Sequence, residues 1–102
     1  MPDAGDSMSR EAALAAAAAY FDDGGYEIDL ARRVAIRTES QNPDSGEMLN
    51  LYLTGEMRPA FERMGYRCQM LDNPVEGGGP FLLAERFEGE SLPTVLGYGH
   101  GD

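Results

Sequence analysis

Leu92-Pro93-Thr94-Val95-Leu96-Gly97-Tyr98-Gly99-His100-Gly101-Asp102 is an apolar run that gives way to a cluster of polar side chains. Thr94 to Tyr98 reads as a β-strand, and Tyr98, His100 and Asp102 follow at steps of two. On an extended backbone, residues i and i+2 project to the same side. His100 and Asp102 would therefore face one pocket together. Glycines at 97, 99 and 101 let the backbone come close to a ligand or a neighbouring strand. A carboxylate beside an imidazole has a defined use: it fixes the tautomer and direction of a metal-ligating histidine. Spacing alone also allows a plainer reading, a solvated Gly-His-Gly-Asp chain end, and on spacing alone that is the simpler one. A catalytic zinc takes about three protein ligands and an open position, and this sequence has one histidine.

Upstream, the pattern is helices first and strands after. Residues Met1 to Met8 read as a disordered lead-in, and 9–102 as the folded part. Ser9 is an N-cap candidate, with Glu11 in the first turn where the helix dipole favours negative charge. That helix runs to about Phe21 and stops at Asp22-Asp23-Gly24-Gly25. Ile28, Ala31, Val34 and Ala35 recur at helical spacing in a second helix, from near Tyr26 to near Arg37. A polar loop, Thr38 to Glu47, carries the turn residues Asn42-Pro43-Asp44 and Ser45-Gly46. A third helix spans about Glu47 to Met64, with Leu49, Leu53, Met57, Ala60, Phe61 and Met64 on one face. Pro59 should kink it near Gly55 or begin a new helical segment, and Gly65 stops it. Tyr66, Cys68 and Met70 alternate with Arg67, Gln69 and Leu71 as in a strand. A glycine-rich loop follows, then a second strand from Phe81 to Phe87 and a turn at Glu88-Gly89-Glu90-Ser91.

Composition narrows the function. The chain has 102 residues, enough for one small domain, and 42% are hydrophobic, which is not a disordered composition. Eighteen acidic residues face eight basic ones, all arginine, for a formal charge of -10. That balance argues against nucleic acid and against an anionic membrane surface. The Ala-rich run from Ala12 to Ala19 is too short to span a bilayer, and Asp3 and Asp6 precede it where a signal peptide needs positive charge. Cys68 is the single cysteine, so no intrachain disulfide forms, in keeping with a cytoplasmic protein.

The Leu92–Asp102 stretch resembles the first metal motif of the M-twenty zinc metallopeptidase family, a hydrophobic strand ending in Gly-His-x-Asp. That family includes acetylornithine deacetylase, succinyl-diaminopimelate desuccinylase, aminoacylase and glutamate carboxypeptidase. The order upstream is similar too. Leu30-Ala31-Arg32-Arg33-Val34-Ala35-Ile36 followed by Thr38-Glu39-Ser40 resembles the family's opening helix and loop. Phe61-Glu62-Arg63-Met64-Gly65-Tyr66 resembles its next helix-glycine-strand unit, so the likeness runs from about Tyr26 to Asp102.

The resemblance implies an α/β fold: N-terminal helices and the first strands of a three-layer zinc-peptidase catalytic domain, incomplete in this chain. It implies that His100 is a zinc ligand and that Asp102 orients it. One or two zinc ions, with cobalt or manganese as substitutes, would activate a water and polarise the scissile amide of a peptide or N-acyl amino acid. The bridging aspartate, the general-base glutamate, the other ligands and a lid domain follow this motif in the family. The chain is therefore expected to be inactive alone, and its open sheet edges to favour self-association.

Other clusters have plainer readings. Gly77-Gly78-Gly79 matches neither a dinucleotide loop nor a P-loop and reads as a flexible loop. Asp22-Asp23 and Glu88/Glu90 read as solvated carboxylates. Arg32 and Arg33 read as partners in helix-surface ion pairs, and Cys68 as a buried, inert thiol. The rival to the enzyme reading is a small non-catalytic α/β module that acts through protein binding or self-association.

Overall fold

The computed structural model describes residues 9–102, so the lead-in expected at 1–8 lies outside the described residues. The chain divides after Ala35 into two compact units.

The first unit holds two helices, α1 (Arg10–Asp22) and α2 (Gly25–Val34). Ser9 caps α1 as expected, its hydroxyl oxygen accepting from the Ala12 N–H at 3.2 Å, a contact of a kind that contributes about 1 kcal/mol. The reversal rests on Gly24 at φ +89°, where a β-carbon would be strained. Tyr20 and Phe21 pack on the Tyr26 ring with centroids 6.1 and 5.9 Å apart. The Tyr20 hydroxyl donates to Asp29 Oδ2 at 2.5 Å, and Arg32 donates to Asp29 Oδ1 at 2.9 Å. The bond to Asp29 raises the Tyr20 pKa; the same bond, with help from Arg32, lowers that of Asp29. Neither helix buries a residue, and Ile28 and Val34 of the α2 stripe stay exposed. α2 ends before the expected Arg37, whose guanidinium pairs instead with Glu39 at 2.9 Å.

The second unit opens with a short 3-10 turn, Pro43–Ser45. The Asn42 side chain accepts there from the Asp44 N–H at 2.9 Å. One continuous helical stretch follows: α3 (Gly46–Leu51), a π-helical segment (Tyr52–Met57) and α4 (Arg58–Arg63). Pro59 falls in the first turn of α4, and the wide segment lies directly before it. A proline has no N–H and its ring presses on the carbonyl four residues back, here Gly55. In the π segment the Arg58 N–H reaches five residues back, to the Leu53 carbonyl. The expected break at Gly55 thus takes the form of a widened turn.

α4 ends in a Schellman motif. Gly65, at φ +87°, donates to the Glu62 carbonyl at 3.0 Å, and Tyr66 to the Phe61 carbonyl at 3.1 Å. The Phe61 and Tyr66 rings meet edge to face at 5.1 Å, the hydrophobic contact that accompanies this cap. Arg86 adds a bond to the Met64 carbonyl at 2.8 Å. The turn leaves Met64 exposed, although it ends the apolar face read from the sequence.

Strands β1 (Arg67–Leu71) and β2 (Phe81–Glu85) form a two-stranded antiparallel sheet. Cys68 pairs with Ala84 and Met70 with Leu82. These are the covered positions of the alternation, and α4 packs on both strands. Cys68 is buried, as expected, and Arg58 from α4 reaches its carbonyl at 3.2 Å. Ser45 is the other buried residue among those described. β2 stops at Glu85, short of Phe87, because its partner begins at Arg67 opposite Glu85.

Helices followed by this sheet make the chain mixed α/β. The expected third strand, Thr94–Tyr98, is not formed. A strand is defined by its pairing, and no described strand runs beside these residues; Val95 and Leu96 are each 90% exposed. No helix among the described residues is long and apolar enough to cross a membrane.

Candidate functional site

Residues 98–102 form a chain of contacts within the second unit. His100 Nδ1 lies 3.1 Å from Asp102 Oδ1, and His100 Nε2 lies 2.9 Å from the Tyr98 hydroxyl. An ionised carboxylate only accepts, so the Nδ1 proton points at Asp102 and, in the neutral ring, Nε2 accepts from Tyr98. The Tyr98 and His100 rings meet edge to face at 5.1 Å. The side-by-side placement read from the two-residue spacing holds although no strand forms.

Two hydroxyls from the loop after Ala35 secure the end of this stretch. Thr38 Oγ1 donates to the Gly101 carbonyl at 2.7 Å, and Ser40 Oγ donates to Asp102 Oδ2. Asp102 therefore uses one oxygen on Ser40 and the other on His100. Those bonds, the Ser40 one first, hold its pKa below the usual carboxylate value. Gly101 sits against the ring of Tyr52, where an added β-carbon would lie 2.3 Å from Cε2.

The group borders an open cleft of about 630 Å³, within the range of small-molecule sites. Leu49, Leu53 and Phe81 contribute apolar wall, while Asn42, Asn73 and His100 contribute polar atoms. The Gly77-Gly78-Gly79 loop forms part of the rim and is tied down by Asn73, whose amide donates to the Gly79 carbonyl at 3.0 Å. Asn73 Oδ1 also accepts from the Val75 N–H at 2.8 Å.

Reading the sequence singled out His100 and Asp102, and the structure brings them together. It did not single out Ser40, Thr38 or Tyr52 as their supports. The available signal was two hydroxyl residues two apart, at 38 and 40, in a polar loop; nothing local ties that loop to residues more than sixty positions on.

Among the described residues, no three His, Cys, Asp or Glu side chains gather where they could hold a metal ion. His100 and Asp102 fit one nitrogen ligand and the carboxylate that orients it. They do not make up the three-ligand set of a catalytic zinc. No protein-family model, curated protein or solved structure matches the chain.

Proposed function

We propose that this chain is the N-terminal segment of a cytoplasmic zinc-dependent hydrolase of peptide or N-acyl amino acid amide bonds, within a three-layer α/β catalytic domain. His100 is its metal ligand and Asp102 the residue that orients it. The observation that carries this reading is the Nδ1–Asp102 contact. It directs the second nitrogen, Nε2, away from the carboxylate and toward the Tyr98 hydroxyl. A bound zinc would supply Lewis acidity toward the amide carbonyl and toward water. On this reading His100 is one ligand of a larger set, and the chain by itself is expected to be inactive toward these substrates.

Cobalt(II), a paramagnetic substitute for zinc, tests the assignment. Added to the 102-residue chain, it should broaden the His100 ring resonances first, and a His100→Ala variant should lose that focus. Broadening confined to surface carboxylates, with His100 unaffected, sinks the reading.

A second reading is favoured by one specific feature. Both strands of the sheet keep an open edge among the described residues, and the 94–98 segment exposes Val95 and Leu96. Such edges pair readily with another chain. On this reading the protein is a non-catalytic interaction module that self-associates. Sedimentation showing a monomer at all concentrations would remove it.

A further inference from the structure

We infer that Ser40 and Thr38 are positioning residues that aim Asp102 at the Nδ1 of His100. The inference rests on the proposed reading only in taking His100 as the working group. Three separate contacts carry it. Ser40 holds the Asp102 oxygen that does not face the imidazole. Thr38 holds the carbonyl of the residue before it, at 2.7 Å. Tyr52 walls Gly101 so closely that no β-carbon fits. The carboxylate, the preceding peptide carbonyl and the Gly101 backbone thus each have a contact of their own.

The imidazole itself has no such support. Its side chain is 69% exposed, and its two polar contacts are Tyr98 and Asp102. The direction of the ring therefore depends on where Asp102 is held. Removing the Ser40 hydroxyl leaves Asp102 with one polar side-chain contact and a free torsion, and the Nδ1–H preference of the ring weakens. This is a positioning role, since Ser40 and Thr38 touch Asp102 and Gly101 and not the imidazole.

The experiment is long-range nitrogen–proton NMR of the His100 ring in the 102-residue chain near neutral pH, where the two ring nitrogens report the tautomer. The wild type should show predominantly the Nδ1–H form. Asp102→Asn calibrates the loss of the carboxylate. Ser40→Ala should shift the spectrum most of the way to that of Asp102→Asn, and Ser40→Thr, which keeps the hydroxyl, should retain the wild-type pattern. If Ser40→Ala fails to fold by circular dichroism, Thr38→Val carries the test with the same expected direction. A Ser40→Ala or Thr38→Val spectrum identical to the wild type overturns the inference, as does a Ser40→Thr spectrum identical to that of Ser40→Ala. The cobalt result is independent: loss of broadening at His100 with the tautomer shifts intact removes the metal reading and leaves this one standing.

Discussion

Gly101 lies against the Tyr52 ring, close enough that a β-carbon at 101 would sit 2.3 Å from Cε2 and 2.8 Å from Cδ2. This contact, between residues almost fifty positions apart, holds the end of the candidate site to the long helical stretch. Gly101→Ala should therefore displace either the ring or the 99–102 backbone. Overpacking of this kind costs about 1–3 kcal/mol. A lowered melting temperature, with amide shifts concentrated at Thr38 and Tyr52, is the expected result. Adding Tyr52→Ala should recover part of the backbone shift, because it removes the obstructing ring.

Pro59 tests whether the π-helical segment has absorbed the proline. In an ordinary helix interior a proline costs about 3 kcal/mol, so replacing it should stabilise by that much. Here the helix is already widened directly before Pro59. The remaining effect of Pro59→Ala is then on the unfolded chain, a loss of about 0.4–1 kcal/mol. Urea denaturation distinguishes a small loss from a large gain.

Cys68 is the buried apolar residue of the hairpin and faces α4. Cys68→Ser introduces a hydroxyl at the same place, and a buried hydroxyl without a full partner costs about 1–3 kcal/mol. The native thiol should also react with a bulky disulfide reagent far more slowly than the thiol in denaturant. Equal rates would mean that the hairpin opens readily.

The Tyr20–Asp29 bond has a pH window of its own. The raised Tyr20 pKa means that the folded unit favours the protonated phenol, so that contribution is present below the ordinary phenol range and is lost as pH climbs through Tyr20's raised value. The lowered Asp29 pKa means that the folded unit favours the carboxylate, so that contribution is lost as pH falls through and below the usual carboxylate range. Tyr20→Phe should lower helix stability slightly at neutral pH and make no difference at either extreme. The effect is small because Tyr20 is exposed and Asp29 only half-buried, so solvent screens the pair. Circular dichroism melts of the variant and wild type across pH check it.

Much of the local structure was legible in the sequence. Ser9 as a cap, the glycine reversal at 24, the stop at Gly65, the disturbance caused by Pro59 and the phase of Cys68 and Met70 each follow from backbone chemistry within a few residues. The misreading is about a partner. Thr94–Tyr98 has strand composition but no strand among the described residues to pair with, whereas Ile28 and Val34 lie on a helix as their spacing predicts.

The same division runs through the site. The two-residue spacing of Tyr98, His100 and Asp102 by itself determined that they share a side, because alternation is a property of an extended backbone. That Ser40 takes one Asp102 oxygen, Thr38 the Gly101 carbonyl and Tyr52 the space beside Gly101 was decided only by the tertiary structure. Those contacts join residues far apart in sequence, by 63 and 62 positions for the two hydroxyls, and no local propensity encodes which distant hydroxyl meets which carboxylate. They exist because folding closes a long loop, and that closure depends on the packing of the helical stretch and hairpin that lie between.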